Sequence, residues 1–118
     1  MPTSELFINI RVLNLSENEL ESLEGFGELV NLENLDVSKN KLKSFSDLHP
    51  CSKLTTLDLS HNCILELDVD TMRTLKSLRC LYICGNPFED ACGSYQQIVR
   101  EHVPSLEFLD KDYVKSNK

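Results

Sequence analysis

Four asparagines stand in register along this 118-residue chain: Asn18, Asn40, Asn62 and Asn86, separated by 22, 22 and 24 positions. Around Asn62 the surrounding pattern is complete, with Leu54, Leu57, Leu59, Asn62 and Ile64 filling L-x-x-L-x-L-x-x-N-x-L. The same frame takes in Ile10, Leu13, Leu15, Asn18 and Leu20, then Leu32, Leu35, Val37, Asn40 and Leu42, and last Leu78, Leu81, Ile83, Asn86 and Phe88. A fixed period confines a chain to stacked units, none of which can bury its apolar side alone. Leu57 and Leu59 lie two apart, so on a short strand they point to one side while Thr56, Asp58 and Ser60 point to the other. The leucines go inward. An asparagine where the chain leaves the strand can bond backbone groups of its own turn and the next, so the four are expected to form a structural ladder.

The second half of each unit has its own rhythm. Leu20, Leu23, Phe26 and Leu29, then Leu42, Phe45, Leu48 and Cys51, recur at every third position, which suits a path of three residues per turn rather than an α-helix. Gly25 and Gly27 favour a tight bend beside Phe26. The third unit is two residues longer, and residues 69–77 are expected to absorb the excess as a short helix. Toward the end, Ser94 reads as an N-cap and Pro104 as a stop, giving an amphipathic helix over 95–103 that closes the open end of the core. Leu106 and Leu109 restart the repeat spacing, but Lys111 occupies the next inward position, so the stack is expected to end there.

These features predict one domain over 1–118: an N-terminal lid (1–9) in which Leu6, Phe7 and Ile8 cover the first turn, repeats over 10–84, a cap over 85–114 and a tail over 115–118. The lid is thin, so self-association at the weakly capped N-terminal edge is a further expectation.

The units resemble leucine-rich repeats, in particular the 22-residue, phosphatase-regulator-like type. Gly85-Asn86-Pro87, Tyr95, Pro104, Leu106, Leu109 and Asp110 are similar to that group's C-terminal cap, roughly G-N-P, an aromatic-led helix, then P-x-L-x-x-L-D. Similar caps occur in the acidic leucine-rich nuclear phosphoproteins, the spliceosomal A-prime protein, the axonemal dynein light chain and the leucine-rich regulatory subunit of protein phosphatase one. The resemblance implies an α/β solenoid: a right-handed superhelix with a parallel concave sheet, a 3-10 and loop convex side and a C-terminal helical cap. Two positions depart from the group. Gln96 stands where a basic residue often follows the cap tyrosine, and Lys115-Ser116-Asn117-Lys118 replaces the long acidic tail of the nuclear phosphoproteins, which weighs against a histone-chaperone reading.

Nineteen acidic against twelve basic residues give a net charge of −7, which argues against direct nucleic-acid binding and mildly for basic partners. No run of eighteen apolar residues offers a membrane span. Cys51, Cys63, Cys80, Cys84 and Cys92 contain no C-x-x-C pair, and the repeat register aligns no two thiols in adjacent turns. They are expected to be reduced, in an intracellular setting, whether cytoplasmic, nuclear or ciliary and cytoskeletal, with no metal and no cofactor. Asp58, Ser60 and His61 contain the residue types of a hydrolase triad, but on one strand they cannot converge, so no enzyme is expected.

The outward positions stack into columns: Arg11, Glu33, Thr55, Arg79; Asn14, Asp36, Asp58, Tyr82; and Glu17, Lys39, His61, Gly85. A protein-binding concave face is therefore expected at Arg11, Asn14, Glu33, Asp36, Lys39, Asp58, His61, Arg79 and Tyr82; its Asn14, Asp36 and Asp58 strip is either a solvated strip with partners such as Lys39 and His61 or a receptor for a Lys or Arg of another protein. Such a face suits an adaptor or regulatory subunit that docks another protein. The alternative is a chaperone or phosphatase regulator like the acidic nuclear phosphoproteins, holding basic protein ligands, with Glu17, Glu19, Glu21, Glu24 and Glu28 making the first unit's convex side acidic.

Overall fold

A computed structural model describes residues 8–110 and the backbone of Asp112–Tyr113. Each repeat contributes one three-residue strand: β1 (Val12–Asn14), β2 (Asn34–Asp36), β3 (Thr56–Asp58) and β4 (Cys80–Tyr82). They pair in sequence order, all parallel, with Leu13, Leu35, Leu57 and Leu81 opposite one another. Parallel neighbours need a crossover, and the second half-repeats supply it along the convex side. In the first two units the crossover carries the 3-10 turns Phe26–Glu28 and Ser46–Leu48, as the three-residue rhythm predicts. In the third it is α1 (Val69–Thr74), three residues shorter than expected and capped by Asp68, whose side chain accepts from the Thr71 amide at 3.1 Å.

The two glycines beside Phe26 act differently from each other. Gly25 takes a positive φ of 90°, where a side chain would be strained. Gly27 allows close approach instead: a Cβ there would lie 2.9 Å from Pro50 Cγ and 3.0 Å from the Asp47 carbonyl of the next unit.

The leucines do point inward. Leu35, Leu57 and Leu59 are fully buried, joined from the convex wall by Leu23, Phe45 and Leu48. Each such side chain contributes roughly 1.5–3 kcal/mol of burial, summed down one continuous core. Cys51 sits in the same core, its thiol donating to the Phe26 carbonyl at 3.4 Å, and burial pushes that thiol up to about 11.

The asparagine ladder is complete through the middle of the stack. Asn62 Nδ2 donates to the carbonyls of Leu59 and Ser60 in its own turn and of Val37 in the turn before, while its Oδ1 accepts from the Leu42 amide. Asn40 and Asn86 repeat the arrangement. Asn18 differs: it is exposed, and among the described residues its side chain bonds only the carbonyls of Leu15 and Ser16 in its own turn, while its amide donates to Asn40 Oδ1 at 3.1 Å.

Beyond β4 the sheet adds a fifth parallel strand, β5 (Phe108–Leu109), with Leu109 opposite Leu81; the parallel stack stops there, and β6 (Asp112–Tyr113) turns back antiparallel. Leu109 alone supplies the inward contact that this two-residue strand needs; Lys111 lies outside the described residues. Between β4 and β5 run α2 (Phe88–Ala91) and α3 (Tyr95–His102). Phe88 and Tyr95 meet edge to face at 5.1 Å, and Val99 and Val103 complete the cover over the last repeat. Ser94 precedes α3 but makes no side-chain cap; its carbonyl receives the Ile98 amide instead.

At the other end Leu6 and Phe7 fall outside the described residues. Ile8 does not cover the first turn: it is 42% exposed, and its carbonyl accepts from Asn31 Nδ2.

Candidate functional site: the concave face

Because Leu13, Leu35, Leu57 and Leu81 point in, their strand neighbours must point out, and the concave face is made of those neighbours. Adjacent strands put equal repeat positions about 5 Å apart. Asn14, Asp36, Asp58 and Tyr82 therefore form one row, confirmed by the pairing Asn14 with Asp36, Asp36 with Asp58, and Asp58 with Tyr82. Tyr82 is half-buried at the end of that row.

The carboxylate strip takes its hydrogen bonds from its own turns. Neither Lys39 nor His61 forms an ion pair with it among the described residues. Instead Asp58 Oδ1 accepts from the Ser60 amide at 3.0 Å and the Ser60 hydroxyl at 2.6 Å, and Asp36 does the same with Ser38 at 3.0 and 2.7 Å. Asn14 repeats the motif with Ser16. Ser38 and Ser60 are consequently buried beneath their aspartates rather than standing free on the face. The signal was present as D-x-S and N-x-S two residues apart, a spacing at which a short side chain closes on the backbone ahead of it. Each carboxylate is held in one orientation by one oxygen.

Lys39 and His61 stand at the turn that leaves the strand, exposed, with φ values of 58° and 57°. Glu17 shares that left-handed conformation, and Gly85 follows at 78°. The His61 ring lies over Gly85, so a side chain at 85 would collide with it.

The remaining predicted residues pair with each other. Arg11 Nη1 meets Glu33 Oε2 at 2.8 Å, and Arg79 makes two bonds to Glu107, Nε to Oε2 at 2.9 Å and Nη2 to Oε1 at 3.0 Å. The Glu107 carboxylate, by hydrogen bond and charge, raises the Arg79 guanidinium further above its ordinary value. This rim is close to neutral.

Beneath the last repeat lies a residue whose role sequence reasoning missed. Asp110, at φ 58°, turns its carboxylate toward the core end of β4: Oδ1 accepts from the Ile83 and Cys84 amides at 2.8 and 2.9 Å, and Oδ2 from the Tyr95 hydroxyl at 2.7 Å. It takes the place of a further strand's carbonyls. Burial, then the hydrogen bond and charge of Asp110, push the Tyr95 phenol above its ordinary value; burial and Asp110 do the same to the half-buried Cys84 thiol. All five cysteines are unpaired.

Ser60 spends its hydroxyl on Asp58 while His61 faces Gly85, so these three residues form no proton relay. His49 Nδ1 and His102 Nδ1 each face a carbonyl of their own turn, Ser46 at 3.2 Å and Ile98 at 2.8 Å. Among the described residues no group of three or more His, Cys, Asp or Glu is placed to hold a metal ion, and no helix is long and apolar enough to cross a membrane.

Parallel strands, an asparagine ladder and an outward face of unlike side chains define a repeat-built binding scaffold. Family models agree: Leucine Rich repeats (2 copies) matches residues 8–48 and Leucine Rich Repeat matches 53–75, together more than half of the chain, which belongs to the leucine-rich repeat family. A curated relative, the leucine-rich repeat-containing protein ODA7 of Chlamydomonas reinhardtii, is 36% identical over 50 residues, covering 42% of this chain and 12% of the relative. The chain thus spans about an eighth of that protein's length. Among solved structures, a leucine-rich repeat protein of Leptospira interrogans superposes with a TM-score of 0.69 at 29% identity, over 83% of this chain and 24% of the other. The Drosophila melanogaster SNF/U2A' complex gives 0.69 at 18% identity, over 89% of this chain and 75% of that one; this is a likeness of fold.

Proposed function

We propose that the chain is an adaptor or regulatory module that docks a partner protein on its concave face, with Tyr82 as the anchor and Asp36 and Asp58 setting its charge preference. One observation carries this reading: the row Asp36, Asp58, Tyr82 projects from paired strands, and among the described residues its carboxylates bond only their own serines. A preoriented carboxylate beside an amphipathic aromatic is the composition of a binding hot spot rather than of a merely solvated surface. The paired rim, Arg11 with Glu33 and Arg79 with Glu107, frames the row without competing for it. The cap motif from Gly85-Asn86-Pro87 to Leu109-Asp110 supports placing the chain in the capped, phosphatase-regulator-like branch. Five unpaired thiols support a reducing, intracellular setting.

The test is affinity capture from extract with wild-type chain, Tyr82→Ala and an Asp36→Asn, Asp58→Asn double variant. Tyr82→Ala is expected to lose the dominant partner while melting within a few degrees of wild type. Capture that survives, or that fails only in step with unfolding, removes the concave site.

A second reading keeps one observation of its own: Glu17, Glu19, Glu21 and Glu24 are all exposed on the first unit. If that acidic surface holds basic ligands, binding will weaken steeply with salt and will be indifferent to Tyr82.

A further inference from the structure

The fifth strand changes what the concave face contains. Phe108 pairs with Cys80 across β4 and β5, so its ring emerges on the same side as Cys80 and Tyr82, and it remains 40% exposed. Tyr82 is the diagonal neighbour of Phe108, at about 7–8 Å between backbones, within reach of two aromatic rings. Five large apolar side chains are exposed among the described residues: Ile8, Val12, Val30, Leu65 and Phe108. Of these, Phe108 is the one that stands next to an outward aromatic on the concave sheet. One and two strands from Tyr82 lie Asp58 and Asp36, with no cationic partner among the described residues, while Arg79 and Glu107 beside Phe108 satisfy each other.

We propose that Cys80, Tyr82 and Phe108 form an apolar seat at the C-terminal end of the concave face, which receives an apolar side chain of a helical partner segment carrying a Lys or Arg two turns away. The proposal rests on the concave-face reading above and names the chemistry of its occupant. The geometry selects a helix. A segment lying across outward side chains reaches no strand edge to bond, so it must satisfy its own backbone. The distance selects the spacing: from β4 and β5 to the midpoint of β2 and β3 is two strand separations, about 10 Å, which equals seven residues of helix at about 1.5 Å each. The charge selects the cation. A Lys or Arg at that position meets two carboxylates whose Oδ1 atoms are already committed to Ser38 and Ser60, leaving Oδ2 to receive it.

The experiment is an unbiased selection on the full chain, using a phage library of a stable helical scaffold with one randomised face, followed by affinity measurement of the winners. Variants are Phe108→Ala, Tyr82→Ala, Asp58→Asn and Cys80→Glu, each checked for an unchanged melting transition; Cys80→Glu places a charge on the seat and decides the matter if Phe108→Ala loosens the cap. Winners are expected to carry Phe, Leu or Met and, seven positions away, Lys or Arg, and to lose about tenfold or more in affinity on Phe108→Ala and on Cys80→Glu. Winners that need Tyr82 and Asp58 but ignore Phe108→Ala and Cys80→Glu would overturn the seat and leave the concave reading standing. Winners indifferent to all four variants would overturn both. A selection that enriches no helix overturns the seat.

Discussion

At the scale of single residues, chemically identical side chains carry unequal weight because of where they fall in the stack. Asn62 is 7% exposed and its side chain serves four backbone groups in two successive units, Val37 and Leu42 in one and Leu59 and Ser60 in the next, whereas the exposed Asn18 side chain serves two carbonyls of its own turn. Removing Asn62 strands buried donors and acceptors that water cannot reach. Asn62→Ala is expected to cost roughly 2–4 kcal/mol in denaturant unfolding, and Asn18→Ala about 1 kcal/mol or less. Equal losses would mean that the ladder acts through helical or strand preference and not through buried bonds. Tyr95 gives a pH-dependent counterpart. Its phenol is held protonated by burial and by the Asp110 carboxylate, above the ordinary value of 10.0. The unfolded chain therefore releases this proton first as pH rises, so the stabilisation is whole below pH about 10 and is lost progressively above it. Tyr95→Phe should lower the melting temperature at pH 8 yet flatten the alkaline fall, and an unaltered slope between pH 9.5 and 11 would contradict the assignment.

At the scale of elements, sequence and structure agree where a residue type has one mechanical use at a fixed place. The four repeat strands, the 3-10 turns after Leu23 and Phe45, and the short helix of the longer third unit were legible because Leu, Asn and the three-residue rhythm report inward position directly. β5 was not legible. A strand that needs only Leu109 for its inward contact leaves too few residues for a period, and the eye stops at Lys111. Missing β5 hid Phe108 as an outward residue and Asp110 as the carboxylate that ends the sheet. The face itself is half legible: alternation places Asp36, Asp58 and Tyr82 on it, but alternation says nothing about whether neighbours bond each other, so it leaves Ser60 outward and Arg11 and Glu33 available. The cap elements act together. Without residues 94–118 the Ile83 and Cys84 amides lose Asp110, the Arg79 carbonyl loses the amides of Glu107 and Phe108, and Phe88 loses the Tyr95 ring. A 1–93 fragment is expected to be aggregated or to lack a cooperative transition, whereas a soluble fragment with a sharp melt would show that α3 and β5 are accessories and not a cap.

At the scale of the whole molecule, a stack in which each unit touches its neighbours has stability that varies along its length, and the two ends of this one are finished differently. The C-terminal end carries two helices, a fifth strand and the Asp110 carboxylate. At the N-terminal end Ile10, Leu13, Leu15 and Leu20 are only partly buried, while Leu35, Leu57 and Leu81 are at most 2% exposed. The amides of Leu15 and Glu17 bond β2 and the turn after it, and those of Leu59 and His61 make the same bonds one repeat from the cap, to Tyr82 and Cys84. Chemically equivalent hydrogen bonds thus sit in unequal surroundings. Native-state hydrogen exchange is expected to release Leu15 and Glu17 first, through opening of the first repeat alone, and Leu59 and His61 only with global unfolding. The Leu13→Ala variant should speed exchange at Leu15 and Glu17 without altering Leu59, whereas Leu57→Ala should speed all four. Uniform protection along the sheet, with both variants shifting every amide together, would mean that the repeats open as one unit and that the first coil is as firmly held as the last.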